Sequence, residues 1–224
     1  MMVTNEPRIS PVIRSKAEAK SSYDRLSGWY DLLAGWGEEK ARNTGLGELK
    51  AQLGEMILEV GSGTGHCIEA LAKSVGDSGE VYGIDVSKGM LNITRKRIRK
   101  ARLLERVELI DGDATILPLK ADLFDAIFVS FTLELFDMPE ISAILSECRR
   151  VLRGDGRICV VAMSKKETFT IGLYEWMHRR FPAYVDCRPI FGQEVLKDSG
   201  FNIISVTELS MWRLPVEVVV AKKT

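Results

Sequence analysis

Short apolar runs alternate with longer amphipathic stretches between residues 55 and 163 of the chain. The short runs predict buried strands, and the stretches between them place apolar residues at the spacing of one helix face. Apolar strands that alternate with helices are typical of a parallel sheet covered on both faces. The pattern predicts strands at residues 56–60, 81–84, 107–110, 125–131 and 157–163, and helices near residues 68–75, 88–104 and 141–152.

The chain of 224 residues is expected to form one domain with a doubly wound α/β fold. Two apolar segments near the C-terminus, residues 201–209 and 214–220, are separated by only a few residues and predict an antiparallel strand pair. The expected parts are a cover or lid at 1–50, a core at 51–163, an insertion over the sheet edge at 164–191, and a helix followed by the strand pair at 192–224.

The amino-acid composition argues against several classes of function. Lys+Arg and Asp+Glu balance at 31 each, which argues against a nucleic-acid partner. No apolar run approaches the roughly 20 residues that span a bilayer, and the first residues lack the apolar centre of a signal peptide. A cytoplasmic protein is therefore expected. The cysteines are widely separated and predict no metal site. Contact with a membrane surface and the oligomeric state stay open.

A glycine-rich loop joins the first predicted strand to the first predicted helix. Gly61, Gly63 and Gly65 let the backbone turn sharply and approach a ligand without a Cβ in the way. Dinucleotide-binding loops carry a further glycine, where this chain has His66. Glu59 precedes the loop and can accept hydrogen bonds from a cationic amino group. The loop alone is also compatible with a nicotinamide or flavin enzyme, or with an ordinary strand–helix turn.

Polar groups also follow the other strands, and each suits one part of a single nucleoside ligand. Asp85 follows the second strand and can accept both hydroxyls of a ribose. We expect this carboxylate to serve the ligand and not the core, so that its loss leaves folding nearly unaffected. Met90 suits an adenine face, with plain packing in the core as the alternative, and Asp113 suits the adenine amino group. Ser130 ends the fourth strand near the expected reaction centre.

The motifs ILEVGSGTGHCIEALAK, VYGIDVSKGML, IDGDATILPL, FDAIFVSFTLE and RRVLRGDGRICVVAMSK occur in this order. Over about residues 23–163 the chain resembles class I S-adenosylmethionine-dependent methyltransferases, and is most similar to the ubiquinone and menaquinone C-methyltransferase group. The resemblance implies S-adenosylmethionine as cofactor and a Rossmann-like seven-stranded sheet, mostly parallel with an antiparallel C-terminal strand. The implied cofactor contacts, with their neighbours, are Glu59, Gly61, Ser62, Gly63, Gly65, Asp85, Val86, Met90, Gly112, Asp113, Ala114 and Ser130.

The acceptor is not fixed by the resemblance. Quinone methyltransferases typically read KPGG where this chain has RGDG at 153–156, and YDxMN where it has YDRLS at 23–27. The tyrosine–aspartate pairs at 23–24 and 30–31, with LPVEVVVAKK near the C-terminus, also resemble phospholipid N-methyltransferases. A small, lipophilic acceptor such as a quinone and a phospholipid or small amine therefore stay open. A non-catalytic S-adenosylmethionine-binding protein and a nicotinamide-dependent dehydrogenase are the remaining alternatives.

Residues on the acceptor side are expected to come from the flanking segments. Tyr23 and Tyr30 lie seven positions apart, which is two turns of a helix, and are predicted to belong to a catalytic lid. A tyrosine ring there could contact the sulfonium by a cation–π interaction, although packing of both rings is the alternative. Phe131, Glu134 and His178, the last in the 164–191 insertion, are the other acceptor-side candidates.

Overall fold

The computed structural model describes residues 35–165 and 188–223. Their strands form one seven-stranded sheet in the order β3-β2-β1-β4-β5-β7-β6. β7 is antiparallel to both of its neighbours, and the remaining pairs are parallel. The predicted sheet is thus confirmed. The strands are β1 Met56–Val60, β2 Glu80–Asp85, β3 Val107–Asp111, β4 Phe124–Ser130, β5 Leu152–Met163, β6 Phe201–Met211 and β7 Leu214–Lys223.

Helices cover both faces of this sheet. The described helices are α1 Gly35–Leu49, α2 His66–Ser74, α3 Lys88–Ala101, α4 Met138–Val151 and α5 Gly192–Asp198. Apolar side chains of α1, α2 and α3 form one buried cluster with the sheet, and those of α4 and α5 form another on the opposite face. Neighbouring residues of β1, Ile57 and Leu58, belong to different clusters, as the alternation of a strand requires. Among the described residues, no helix is long and apolar enough to cross a bilayer.

The helix α1 was not predicted from the sequence. Gly45 and Gly47 lie within it, and glycine disfavours a helix interior. Close packing explains the glycine at position 45. A Cβ on Gly45 would lie 2.4 Å from Cγ2 of Val161 and 3.1 Å from Cε2 of Phe128. Glycine therefore lets α1 approach β4 and β5 more closely than any other residue allows.

Arg157 of β5 fixes the C-terminal end of α1. Its Nε donates to the Leu49 carbonyl at 2.6 Å, and its Nη2 donates to the Lys50 carbonyl at 2.9 Å. The same guanidinium forms an ion pair with Glu55 at 2.8 Å. Carbonyl groups at a helix end lack partners within the helix, so one half-buried arginine satisfies two of them and holds α1 against the sheet.

Two predicted boundaries were wrong. α3 ends at Ala101 and not near residue 104, because Arg102 adopts a left-handed conformation with φ of 62°. β5 begins at Leu152, directly after α4, whereas the sequence placed RGDG between the helix and the strand. The pairing with β4 jumps from Phe124↔Leu152 to Ala126↔Arg157. Residues 153–156 are therefore a bulge inside the strand, where Arg153 forms an ion pair with Asp125.

Candidate functional site

The carboxyl ends of β1, β2, β3 and β4 open into one cleft beside the point where the strand order reverses, which is where open α/β sheets bind ligands. The cleft encloses about 940 Å³, including its open mouth. It brings together most of the residues that the sequence singles out. These are Glu59, Gly61, Ser62, Gly63, Gly65, Asp85, Val86, Met90, Gly112, Ala114, Ser130 and Phe131.

The cleft also contains residues that the sequence analysis did not assign to a ligand. α1 contributes Glu38 and Arg42, whose side chains form an ion pair with an Nη1–Oε2 distance of 2.7 Å. Residues four positions apart are neighbours on a helix, so this pair could have been predicted from the sequence only if a helix had been predicted there. The other additions continue segments already named, and they are Val60, Thr64, His66, Cys67, Ile84, Thr132, Leu135 and Phe136.

The glycines of the loop serve different purposes. Gly65 has φ of 82°, and a Cβ there would lie 2.6 Å from Cγ2 of Thr94 in α3. Gly63 has φ of 51°, and a Cβ there would meet no described atom within 4 Å. Since Gly63 lines the cleft, the space beside its Cα is open to a ligand. Gly65 is thus required by packing, and Gly63 leaves room for close approach of a bound molecule.

α3 holds the glycine loop from behind. Oγ1 of Thr94 donates to the Gly63 carbonyl at 2.7 Å, and Nε of Arg97 donates to the Thr64 carbonyl at 2.8 Å. Nη2 of Arg97 also lies 2.8 Å from Nε2 of His66. A guanidinium can only donate, so this imidazole nitrogen accepts. Two side chains one helical turn apart therefore fix successive carbonyl groups of the loop, and His66 belongs to the same network.

Asp85 binds the protein backbone with both of its carboxylate oxygens. Oδ2 accepts from the Gly63 N–H at 2.9 Å, and Oδ1 accepts from the Ser87 N–H at 2.9 Å. The expectation that this carboxylate serves only a ligand was therefore wrong. A carboxylate offers about four acceptor positions. The same group can hold the loop and accept from ribose hydroxyls.

Glu59 is a buried carboxyl at the inner end of the cleft. Glu59 is only 3% exposed, and its Oε2 has no hydrogen-bond partner among the described residues. Burial, reinforced by the negative charge of Asp85, raises the pKa of Glu59 well above its ordinary value. Hydrogen bonds from Cys67 and Ile68 act to lower that pKa. A buried acceptor of this kind suits a cationic donor, whose charge would favour the ionised carboxylate.

Asp113 is described by the structure but is not among the residues that line the cleft. Asp113 lies between the lining residues at 112 and 114, but its Oδ1 accepts from the backbone N–H and the hydroxyl of Thr115 at 2.9 and 2.8 Å. This carboxylate stabilises a turn. Tyr23, Tyr30 and His178 lie outside the described residues.

Glu134 also lies outside the cleft lining, buried behind it. The residue is 0% exposed, and its Oε1 accepts from the Met163 N–H at 2.8 Å. Oε2 has no hydrogen-bond partner in the part of the chain that is described. Burial raises the pKa of Glu134 to about 8, against the lowering effects of the Met163 hydrogen bond and the nearby Arg188 charge. The side chain joins the segment after β4 to the end of β5.

The remaining wall of the cleft is largely apolar. Phe131, Leu135 and Phe136 contribute to it, with Thr132 between them. Phe131 has φ of 49°, which is an uncommon and strained conformation for a bulky residue. The Oγ1 of Thr132 donates to the carbonyl of Ser130 at 3.0 Å. This wall can hold a flat, apolar molecule next to the end of β4.

Comparison with known proteins agrees with this geometry. Residues 57–156 match a family described as a methyltransferase domain. The chain is 30% identical to a demethylmenaquinone methyltransferase of Lactobacillus johnsonii, over 79% of this chain and 80% of that protein. It is 30% identical to a Staphylococcus aureus protein of the same name, over 93% of this chain and 85% of the other.

The chain belongs to the S-adenosylmethionine-dependent methyltransferases. The crystal structure of one such enzyme from Aquifex aeolicus has a TM-score of 0.65 to this fold at 23% identity, covering 92% of this chain and 98% of the other. The cleft fits the cofactor in two ways. Gly63 leaves open space at the loop, and Glu59 offers a buried acceptor without a described partner.

Methyl transfer from a sulfonium does not in itself require a metal ion. Within residues 35–165 and 188–223, no group of three or more His, Cys, Asp or Glu side chains is placed to hold one. What this methyltransferase requires of the cleft is binding and alignment of two molecules.

Proposed function

We propose that this methyltransferase transfers the methyl group of S-adenosylmethionine to a ring carbon of a reduced, lipophilic quinone-type acceptor. The observation that carries the proposal is the identity of 30% to proteins named demethylmenaquinone methyltransferase over as much as 93% of this chain. The apolar wall formed by Phe131, Leu135 and Phe136 supports it, because an aromatic quinol would bury its ring there.

Different residues of the cleft would bind different parts of the cofactor. Asp85 would accept from the ribose hydroxyls while it holds the Gly63 N–H, and Glu59 would accept from the amino group. Met90, which is 2% exposed and lines the cleft, would pack on the adenine ring. Gly112 and Ala114 would border the same ring after β3.

When bound, S-adenosylmethionine supplies a methyl group on a cationic sulfur, and its transfer to the quinol leaves S-adenosylhomocysteine, a C-methylated quinol and one proton. Ser130 and Phe131 at the end of β4 would border the acceptor. The apolar side chains of Leu135 and Phe136 would exclude water and hold the ring in line with the sulfur. Alignment and exclusion of water lower the barrier without a nucleophilic side chain.

The acceptor can be tested directly. The protein would be incubated with S-adenosylmethionine and, in parallel, with a short-chain 2-prenyl-1,4-naphthoquinol in detergent micelles, with phosphatidylethanolamine vesicles, and with small primary amines. We expect mass spectrometry to show methylation of the naphthoquinol on carbon. Methylation of the lipid headgroup or of an amine, with none of the naphthoquinol, would overturn the proposal in favour of an N-methyltransferase.

A further inference from the structure

The turn between β6 and β7 departs from the usual chemistry of a tight hairpin. Trp212 and Arg213 alone join the two strands, since Met211 pairs with Leu214. Trp212 has φ of 49° and Arg213 has φ of 66°, so both central positions are left-handed, as in a type I′ turn. Asparagine and glycine favour these positions, whereas a bulky side chain is strained there. Two residues that disfavour this turn therefore occupy it.

Packing in the core does not account for the tryptophan. Trp212 is 66% exposed, and Arg213 beside it is exposed as well. The flanking residues Met211 and Leu214 are buried and belong to the apolar cluster on the side of α1, α2 and α3. The end of the hairpin is thus anchored by its flanks, while the indole and the guanidinium face solvent.

The turn lies at the same edge of the sheet as the cleft. β7 is antiparallel to β5, and Val216 near the start of β7 pairs with Met163 at the carboxyl end of β5. β5 is in turn parallel to β4, whose carboxyl end at Ser130 lines the cleft. The turn that precedes β7 is therefore at the edge of the sheet onto which the cleft opens.

Further exposed apolar side chains lie beside the cleft. Ile116 is 78% exposed and comes two residues after Ala114, which lines the cleft. Met138 is partly exposed and comes two residues after Phe136 of the apolar wall. β3 and β7 are five strand positions apart in the sheet. With adjacent strands about 4.8 Å apart, the apolar groups extend over roughly 24 Å. A distance of this size suits contact with an extended surface.

A lipid surface suits these groups. Tryptophan is typical of the membrane–water interface, where its ring lies at the level of the headgroups, and an adjacent arginine can bind lipid phosphate. The acceptor proposed above is lipophilic and dissolves in bilayers, so its ring has to pass from lipid into the cleft. A contact between a bilayer and this edge of the sheet would shorten that passage.

We propose that the edge of the sheet around the cleft docks on a lipid bilayer, with Trp212 as the main anchor. The inference rests on the proposed function in one respect, since a lipophilic acceptor gives the contact its purpose. Arg213 adds an electrostatic contribution on anionic lipid. Ile116 and Met138 complete the apolar contact on the other side of the cleft.

Sedimentation with vesicles of phosphatidylcholine and a minor share of phosphatidylglycerol, without any quinol, tests the contact. We expect the unaltered chain to bind, and Trp212→Ala to bind about 5-fold to 30-fold more weakly, because one large apolar side chain no longer enters the interface. Leu53→Ala is the matched control. Leu53 is 79% exposed but precedes β1, at the opposite edge of the sheet, so its replacement should leave vesicle binding unchanged.

A double variant, Trp212→Asn with Arg213→Gly, separates docking from folding. Both new residues favour the left-handed conformation, so the variant should unfold at a higher urea concentration than the unaltered chain. It should nevertheless bind vesicles more weakly. Unchanged vesicle binding would overturn the inference. Parallel losses of stability and of vesicle binding would overturn it too, because the turn would then serve the fold.

Kinetics distinguish this inference from the proposed function. Trp212→Ala should methylate a naphthoquinol without a prenyl chain in free solution at the normal rate, but a prenylated naphthoquinol in vesicles more slowly. Normal methylation by an unaltered chain that binds no vesicles would overturn only the docking inference. Vesicle binding without methylation of either naphthoquinol would contradict only the proposed acceptor. A dimer that Trp212→Ala dissociates, without vesicle binding, would overturn the inference and assign the turn to a second copy.

Discussion

The backbone N–H of Gly63 donates to Oδ2 of Asp85 over 2.9 Å, which ties the loop after β1 to the end of β2. The other oxygen of Asp85 accepts from Ser87, whose hydroxyl in turn accepts from the Met90 N–H at the start of α3. One carboxylate thus connects both loops of the cofactor half of the cleft.

Asp85→Ala should therefore weaken both folding and binding. Loss of two backbone hydrogen bonds is expected to lower the free energy of unfolding by about 1–3 kcal/mol, and S-adenosylhomocysteine should bind more weakly by about 2–3 kcal/mol. Urea unfolding without ligand and calorimetry would measure the two effects. Asp85→Asn keeps one acceptor oxygen and should retain more stability than affinity. An unchanged dissociation constant in both variants would mean that the ribose is held elsewhere.

Replacing Gly63 and Gly65 in turn should distinguish a glycine needed for packing from a glycine that leaves space for the cofactor. In Gly63→Ala the new Cβ meets no described atom, so unfolding should be affected only by the strained φ, at about 1–2 kcal/mol. Cofactor affinity should fall by about 1–3 kcal/mol, because the methyl group enters the cleft. In Gly65→Ala the Cβ would lie 2.6 Å from Thr94, so folding should suffer more than in Gly63→Ala. Normal cofactor binding by Gly63→Ala would contradict this assignment.

The hydroxyl of Thr94 should contribute more to the free energy of unfolding than its methyl group does. Thr94→Val keeps the shape but leaves the Gly63 carbonyl without the bond of 2.7 Å, and should lower the free energy of unfolding by about 1–3 kcal/mol. Thr94→Ser keeps the hydroxyl and serves as the control. Chemical denaturation, with and without S-adenosylhomocysteine, would measure both. If the serine variant is the less stable of the two, packing and not the hydrogen bond holds the loop.

Glu134 should make stability fall as pH rises. Its pKa is raised to about 8 in the folded chain, against the ordinary value of 4.5. Between these values the folded state holds a proton that the unfolded state has released. The free energy of unfolding should thus decrease from about pH 5 to pH 8, by at most about 1.4 kcal/mol per pH unit from this group.

Glu134→Gln should remove that contribution. The amide oxygen can still accept from the Met163 N–H, while no charge is buried at high pH. Urea unfolding at several pH values should show a flatter pH dependence for the variant, and higher stability than the unaltered chain near pH 8. Parallel curves for the two proteins would show that Glu134 does not titrate in this range.

The sequence predicted the sheet well because each apolar strand carries its own signal. The functional groups at strand ends were predicted for the same reason, since Asp85 and Glu59 follow or end such strands. Arg42 could not be found this way. It reaches the cleft only because α1 packs on β4 and β5 through Gly45, and that glycine obscures the helix in the sequence. The bulge at RGDG was missed because glycines after a helix usually mark its end.

The position of β7 has a consequence for the order of folding. It pairs with β5 on one side and with β6 on the other, although it is the last described strand in the chain. During synthesis, β5 and β6 leave the ribosome before the strand that joins them. Both would present open edges to solvent until residues 214–223 emerge, and such edges are prone to aggregation. A nascent chain that stalls before Leu214 would hold a nearly complete cofactor cleft on an unfinished sheet.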